Sequence, residues 1–269
     1  KGDHLFTDEL NHGSIIDGVR LTKAERNIYP HNDMGGLEDL LRKAPSAGRR
    51  LIITDGVFSM DGDTAPLDKI CALAGEYGAM TYTDDAHGEG VLGDGRGIGV
   101  HYNVEDSVDI EMGTFSKAFG VVGGLAAGSE QLAKYAFNKS RTFLLSGSAP
   151  PATVAACTAA LDVIDEEPQH VKRLWENTEY FRSGLQQLGY DTGNSTTPII
   201  PAMCGSAKRA QALSAELLKR DVFALPIVFP MVARDKARIR VMMSAGLEKE
   251  DLDIALNAFE KGGKSAGIL

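Results

Sequence analysis

The 269 residues are 43% hydrophobic and 24% charged, and they carry a net charge of −9. A chain of this size buries a real core as one large domain or two small ones, and its composition excludes low-complexity disorder. The acidic balance argues against nonspecific nucleic-acid binding, which needs a basic field. It is compatible with an anionic small molecule held by a few placed cations and backbone amides.

In chain order, short apolar runs alternate with helical patterns. Strands are predicted over 50–54 (RLIIT), 79–83 (AMTYT), 109–113 and 123–127, runs that read as buried on both faces in a parallel sheet. A helix is predicted over 66–77, with apolar residues at 67, 70, 71, 74 and 77, Pro66 in its first turn and Gly78 just past its end. A second helix is predicted over 150–164 after a double proline, and the acidic stretch 165–168 then reads as a boundary. Helices near 169–188, 206–220 and 248–264 and strands near 222–228 and 237–243 follow. The reading is an α/β fold: a large domain over 1–164 with a mostly parallel sheet, and a smaller α+β domain over 165–269.

The three cysteines, Cys71, Cys157 and Cys204, lie far apart without a C-x-x-C pair. This favours small buried hydrophobes in a reducing, cytoplasmic compartment over a zinc site or a disulfide framework. No apolar run is long enough to span a bilayer, and no signal peptide is visible. The opening Lys1-Gly2-Asp3-His4 reads as the middle of a longer chain.

Polar residues collect where the predicted strands end, at 55–59, at 84–87 and at 114–117, and that edge is where open α/β sheets bind ligands. Singly, each has a plainer reading: Asp84 and Asp85 as a helix cap, His87 as a loop histidine, Lys117 as a solvated lysine. The run Gly93-Asp94-Gly95-Arg96-Gly97-Ile98-Gly99 fails the dinucleotide pattern and follows a loop. There is no phosphate-loop motif, no H-E-x-x-H and no metal-ligand histidine spacing.

Five ordered blocks carry a family resemblance: Asp8-Glu9-Leu10-Asn11-His12-Gly13-Ser14, Thr54-Asp55-Gly56-Val57-Phe58-Ser59-Met60-Asp61-Gly62-Asp63, Asp84-Asp85-Ala86-His87-Gly88, Gly113-Thr114-Phe115-Ser116-Lys117-Ala118-Phe119-Gly120 and Ala237-Arg238-Ile239-Arg240. From Asp8 onward the chain resembles the α-oxoamine synthases. These are pyridoxal-phosphate (PLP) enzymes of fold type I, the aspartate aminotransferase-like fold, which condense an amino acid with an acyl-CoA.

The resemblance implies the following roles. Lys117 carries the cofactor as a Schiff base and works as acid and base at the substrate α-carbon. Asp84 pairs with the pyridine nitrogen. His12 stacks on the ring, while His87 and Ser59 address the phenolic oxygen. Thr114 contacts the phosphate, and Arg240 grips the substrate carboxylate. Arg238 is set aside on the expectation that it faces the other side of its strand. Ser146 and Ser148, flanking Gly147 where relatives often carry Thr or Asn, are expected to reach the cofactor phosphate of a second copy. That implies a homodimer with a shared site. Family members also carry an N-terminal segment absent here, which supplies part of the large domain. The tail Arg238-Ile239-Arg240-Val241-Met242-Met243-Ser244-Ala245 and the stretch Arg173-Leu174-Trp175-Glu176-Asn177 most resemble the glycine C-acetyltransferase branch. The expected reaction is therefore glycine with acetyl-CoA. The alternatives are alanine with a pimeloyl thioester (8-amino-7-oxononanoate synthase), serine palmitoyltransferase chemistry, or a non-catalytic partner subunit of the same fold.

Overall fold

A computed structural model describes residues 2–269, which divide into two units. The first runs to Phe58 and resumes over Thr64–Pro168; the second joins Ser59–Asp63 to Gln169–Leu269. The boundary therefore lies four residues beyond the expected one. The excursion Ser59–Asp63 goes with the second unit because polar bonds hold it there. Thr197 Oγ1 donates to the carbonyl of Gly62 at 2.9 Å, and Arg238 Nη1 donates to the carbonyl of Met60 at 2.8 Å.

The first unit contains β1 (His4–Asp8), α1 (Gly13–Arg20), β2 (Glu25–Tyr29), α2 (Met34–Lys43), β3 (Arg50–Asp55), α3 (Leu67–Tyr77), β4 (Met80–Asp84), α4 (Ile98–His101), β5 (Ile110–Thr114), β6 (Gly124–Gly128), α5 (Glu130–Lys139), α6 (Arg141–Leu144) and α7 (Pro151–Glu166). Its six strands lie in the order β2-β1-β3-β4-β5-β6, and the first five are parallel. Their C-terminal ends therefore share one edge. Ile52 and Ile53 of β3 are buried, and α3 turns Leu67, Ile70 and Ala74 into the core. The helix stops at Gly78, whose φ of 61° is a left-handed conformation that costs glycine little.

β6 pairs antiparallel with β5, which corrects the expectation of a fourth parallel run. Only a short connection separates the two strands, and a parallel return needs a crossover of about a dozen residues or more. Beyond β6 the apolar side chains turn outward. No side chain of α5 or α6 is buried among the described residues, and α7 buries only Cys157. Phe137, Phe143, Leu144 and Leu145 are all exposed, Leu145 by 78%.

The second unit contains α8 (Gln169–Leu188), β7 (Ile199–Gly205), α9 (Ala207–Leu218), β8 (Pro226–Ile227), β9 (Ala237–Met242) and α10 (Lys249–Ser265). Its three antiparallel strands lie in the order β7-β9-β8. Phe181, Leu185, Ile200, Leu213, Leu217, Ile239 and Phe259 form one core, in which the rings of Phe181 and Tyr190 meet Phe259 edge-on. The strand expected near 222–228 shrinks to the two residues of β8, flanked by exposed Phe223 and Leu225. Cys157 and Cys204 are buried and Cys71 is half-buried. No helix of the described residues is long and apolar enough to cross a membrane.

Candidate active site

Four adjacent strands of the first unit end in Asp8, Asp55, Asp84 and Thr114. Asp55 and Asp84 are register partners on β3 and β4, so two carboxylates emerge side by side. Both are buried, at 7% and 6% exposure. Burial, followed by the neighbouring charge of Asp84, pushes Asp55 up to about 7, and Lys117 draws it partly back. Lys117 itself follows β5 in an exposed turn.

Asn11 fastens this edge. Its Nδ2 donates to Thr7 Oγ1 at 2.8 Å and to the carbonyl of Ile53 at 2.9 Å, while its Oδ1 accepts the backbone N–H of Asp55 at 2.8 Å. The next residue is His12, whose backbone N–H donates to Asp55 Oδ2 at 2.6 Å. The His12 ring caps α1: its Nδ1 accepts the N–H of Ser14 and lies 2.8 Å from Ser14 Oγ. An Nδ1 that accepts leaves Nε2 to carry the proton of the neutral ring. The exposed ring is thus fixed in direction by its own helix. Asn11 and Asp55 had no assigned role in the sequence, because their importance depends on the β1–β3–β4 register.

After β4 the chain turns sharply. Asp84 Oδ1 accepts the N–H of Ala86 at 3.1 Å, and the carbonyl of Asp85 accepts the N–H groups of Gly88 and Glu89. A Cβ on Gly88 would lie 1.9 Å from Asp85 Oδ1, so only glycine fits there. Neither aspartate caps a long helix. Asp85 is fully buried and takes the N–H of Ile98 at 2.8 Å, while half-buried His87 lies on the turn three residues past Asp84. Thr114 Oγ1 lies 2.9 Å from Ser116 Oγ and donates to the carbonyl of Gly123 at 3.2 Å. Ser146 and Ser148 are exposed on the segment before α7, next to the apolar run 143–145.

In the second unit, Arg238 and Arg240 project from the same face of β9, as residues two apart on a strand must. Both reach the 59–61 segment, which corrects the expectation that Arg238 points away. Charge pairing distinguishes them instead. Buried Arg238 meets Asp61 Oδ1 at 2.6 Å. Half-buried Arg240 donates to the carbonyl of Ser59 at 3.0 Å, and its Nη1 lies 3.9 Å from Met60 Sδ.

Paired buried carboxylates at strand ends, one of them, Asp55, feeling the charge of Lys117, form an anionic seat of the kind that suits a cationic ring nitrogen. This donor set fits a pyridinium cofactor. The profile of the aminotransferase class I and II family matches residues 1–259. The chain belongs to that family.

Within it, the chain is 53% identical to the 8-amino-7-oxononanoate synthase of Thermosipho melanesiensis, over 99% of this chain and 68% of that protein. It is 51% identical to 8-amino-7-oxononanoate synthase 1 of Bacillus subtilis, over 100% and 69%. Among solved structures, Sphingomonas wittichii serine palmitoyltransferase superposes with a TM-score of 0.96 at 30% identity, covering 100% of this chain and 68% of that one. The 8-amino-7-oxononanoate synthase of Francisella tularensis gives 0.84 at 25%, covering 99% and 77%. Serine palmitoyltransferase structures with the same TM-score of 0.96, at 28% identity, carry PLP. The protein is thus a PLP-dependent α-oxoamine synthase, condensing an amino acid with an acyl thioester. The glycine C-acetyltransferase resemblance of the tail is not matched by these relatives, which favour the alternative reading.

The unbalanced carboxylates have a measurable consequence. Asp55 in the fold binds its proton more tightly than the ordinary value of 3.8 allows. Its contribution to stability is therefore fully present below that value and is lost as the pH rises to about 7. Asp55→Asn keeps an acceptor for the His12 N–H and removes the charge. In urea titrations of the cofactor-free chain, the variant should be more stable than wild type above neutrality by about 1–3 kcal/mol, with the difference closing in acid. A variant weaker at both ends of the pH range would contradict this assignment.

Proposed function

We propose that the protein is an 8-amino-7-oxononanoate synthase, which joins alanine to a pimeloyl thioester. The identity to relatives of that name, above one half over some two thirds of their length, carries the reading. When bound, PLP supplies an electron sink for negative charge developing at the amino acid's α-carbon. Asp84 holds the proton on the ring nitrogen, because a buried carboxylate is relieved by an adjacent cation. His12, aimed by its cap and by Asp55, covers one ring face. Lys117 carries the cofactor and moves the α-proton. His87 and Ser59 orient the phenolic oxygen, and Thr114 holds the phosphate.

Arg240 takes the substrate carboxylate with its planar fork, since Arg238 is already committed to Asp61. The bond made joins the alanine α-carbon to the acyl carbon, and the bond broken is the thioester C–S, which releases the thiol. The nine-carbon product leaves one carbon of the two substrates over, which departs from the alanine carboxylate as carbon dioxide. We further propose a homodimer in which Ser146 and Ser148 serve the partner's phosphate. Their place beside exposed Phe143, Leu144 and Leu145 supports this, because an apolar patch of that kind marks an interaction surface.

The test is release of free CoA from a grid of glycine, alanine and serine against acetyl-, pimeloyl- and palmitoyl-CoA. Alanine with the pimeloyl thioester should give the highest kcat/KM. Preferred turnover of glycine with acetyl-CoA would overturn the reading in favour of the acetyltransferase branch.

A further inference from the structure

The turn after β4 carries a carboxylate that none of these roles uses. Glu89 bends back against β5. A Cβ on Gly113 would lie 1.9–2.1 Å from the Glu89 carboxyl group, so the glycine is what admits it. There the carboxylate faces the backbone N–H of Thr114, which opposes the rise caused by burial; Thr114 is the last residue of β5 before the turn that leads to Lys117. Its Oε2 is buried and has no hydrogen-bond partner. The glycine after Glu89 is also tightly packed: a Cβ on Gly90 would lie 2.5 Å from Cβ of Ala118, next to Lys117.

The charges around Glu89 oppose one another. Burial, then Glu111 on β5 and Asp84 at the end of β4, raise it to about 7; the Thr114 N–H and the Lys117 charge act against them. Fully buried Asp85, at the base of the same turn, also feels Glu89, Glu111 and Asp84 and is pushed well above the usual carboxylate range, mainly by burial. Asp94 and Arg96, on the segment whose backbone bridges to Glu89, are exposed. Lys117 is thus the one cation among the groups that shift Glu89.

We propose that Glu89 is a positioning residue for Lys117: packed on Gly113 and facing the Thr114 amide, with Gly90 packed on Ala118, it fixes the 114–117 turn and supplies an anion that favours the protonated state of the lysine nitrogen. The proposal rests on the reading of Lys117 as the cofactor-bearing lysine. It adds a second source of control to that nitrogen: Glu89 acts from the strand side, through space and through the turn it packs against, independently of any cofactor Lys117 would carry.

The test titrates the visible absorbance of the PLP-loaded protein with pH, for wild type, Glu89→Gln, Glu89→Thr and Glu89→Asp. Loss of the anion should lower the pH midpoint of the band by about half a unit or more in both neutral variants, and Glu89→Asp should return most of the shift. Midpoints unchanged in the neutral variants would overturn the proposal. So would a shift in Glu89→Thr but not in Glu89→Gln, which would make size rather than charge the cause. Failure of both neutral variants to fold would assign Glu89 to the fold and likewise overturn it. A Lys117→Ala protein that kept the band would instead sink the reading of Lys117, an outcome that the Glu89 variants cannot produce.

Discussion

Lys117→Ala should abolish the visible band of the PLP-loaded protein and lower kcat by a factor on the order of a thousand or more. On the proposed reading two functions converge on this one nitrogen, attachment of the cofactor and movement of the α-proton. The flanking groups of the turn are Ser116, bonded toward Thr114, and Ala118. The effect should be chemical rather than structural. Lys117 is exposed, and its ammonium influences Asp55 and Glu89 without any packing role in the core. The melting temperature should therefore hold while absorbance and turnover disappear. Retained turnover would rule out the assignment.

Asp84→Asn should be nearly as damaging by a different route. The carboxylate is 6% exposed and stands beside Asp55 at the centre of the sheet edge. A carboxamide keeps an acceptor for the Ala86 N–H, so the turn after β4 should survive. What it cannot do is stabilise a positive ring nitrogen. Removing one member of a buried ion pair costs about 3–5 kcal/mol, and preorganised charge of this kind is worth roughly a hundredfold to a thousandfold in rate. The variant should bind PLP more weakly and turn over two or three orders of magnitude more slowly, measured at saturating cofactor. A loss below tenfold would show that Asp84 does not face the ring nitrogen.

The strand ends were legible because the runs before them are conspicuous. Residues 50–54 (RLIIT) and 79–83 (AMTYT) are rich in apolar and β-branched residues and then break into acidic ones, and both become parallel strands. The start of the chain gave no such signal. β1 opens on His4, and β2 carries Glu25, Arg26 and Asn27 at the sheet edge, where one side meets solvent. β7 was hidden by Pro201, which reads as a breaker but sits on an edge strand, where a missing N–H is tolerated. At the site, Asp84, His87, Thr114 and Lys117 could be found as motif members. Asn11 and Asp55 lay inside such motifs without a role, and Glu89 lay just outside one, because their meaning lies in register and in an absent side chain. Asp55 matters through its neighbour on β4 and through the amide of His12, and Glu89 through the space left at Gly113. The two arginines of β9 differ in burial and in their partners, a carboxylate for Arg238 and a backbone carbonyl for Arg240, which chain order does not reveal.

The central claim is that the cofactor is carried by Lys117 at the edge formed by Asp55 and Asp84. Borohydride treatment of the PLP-loaded protein, followed by proteolysis and mass mapping, tests it most directly. The pyridoxyl group should be found on the peptide containing Lys117 and on no other lysine. Labelling of a different lysine, or none at Lys117 in a protein whose visible band shows it to be loaded, would contradict the account.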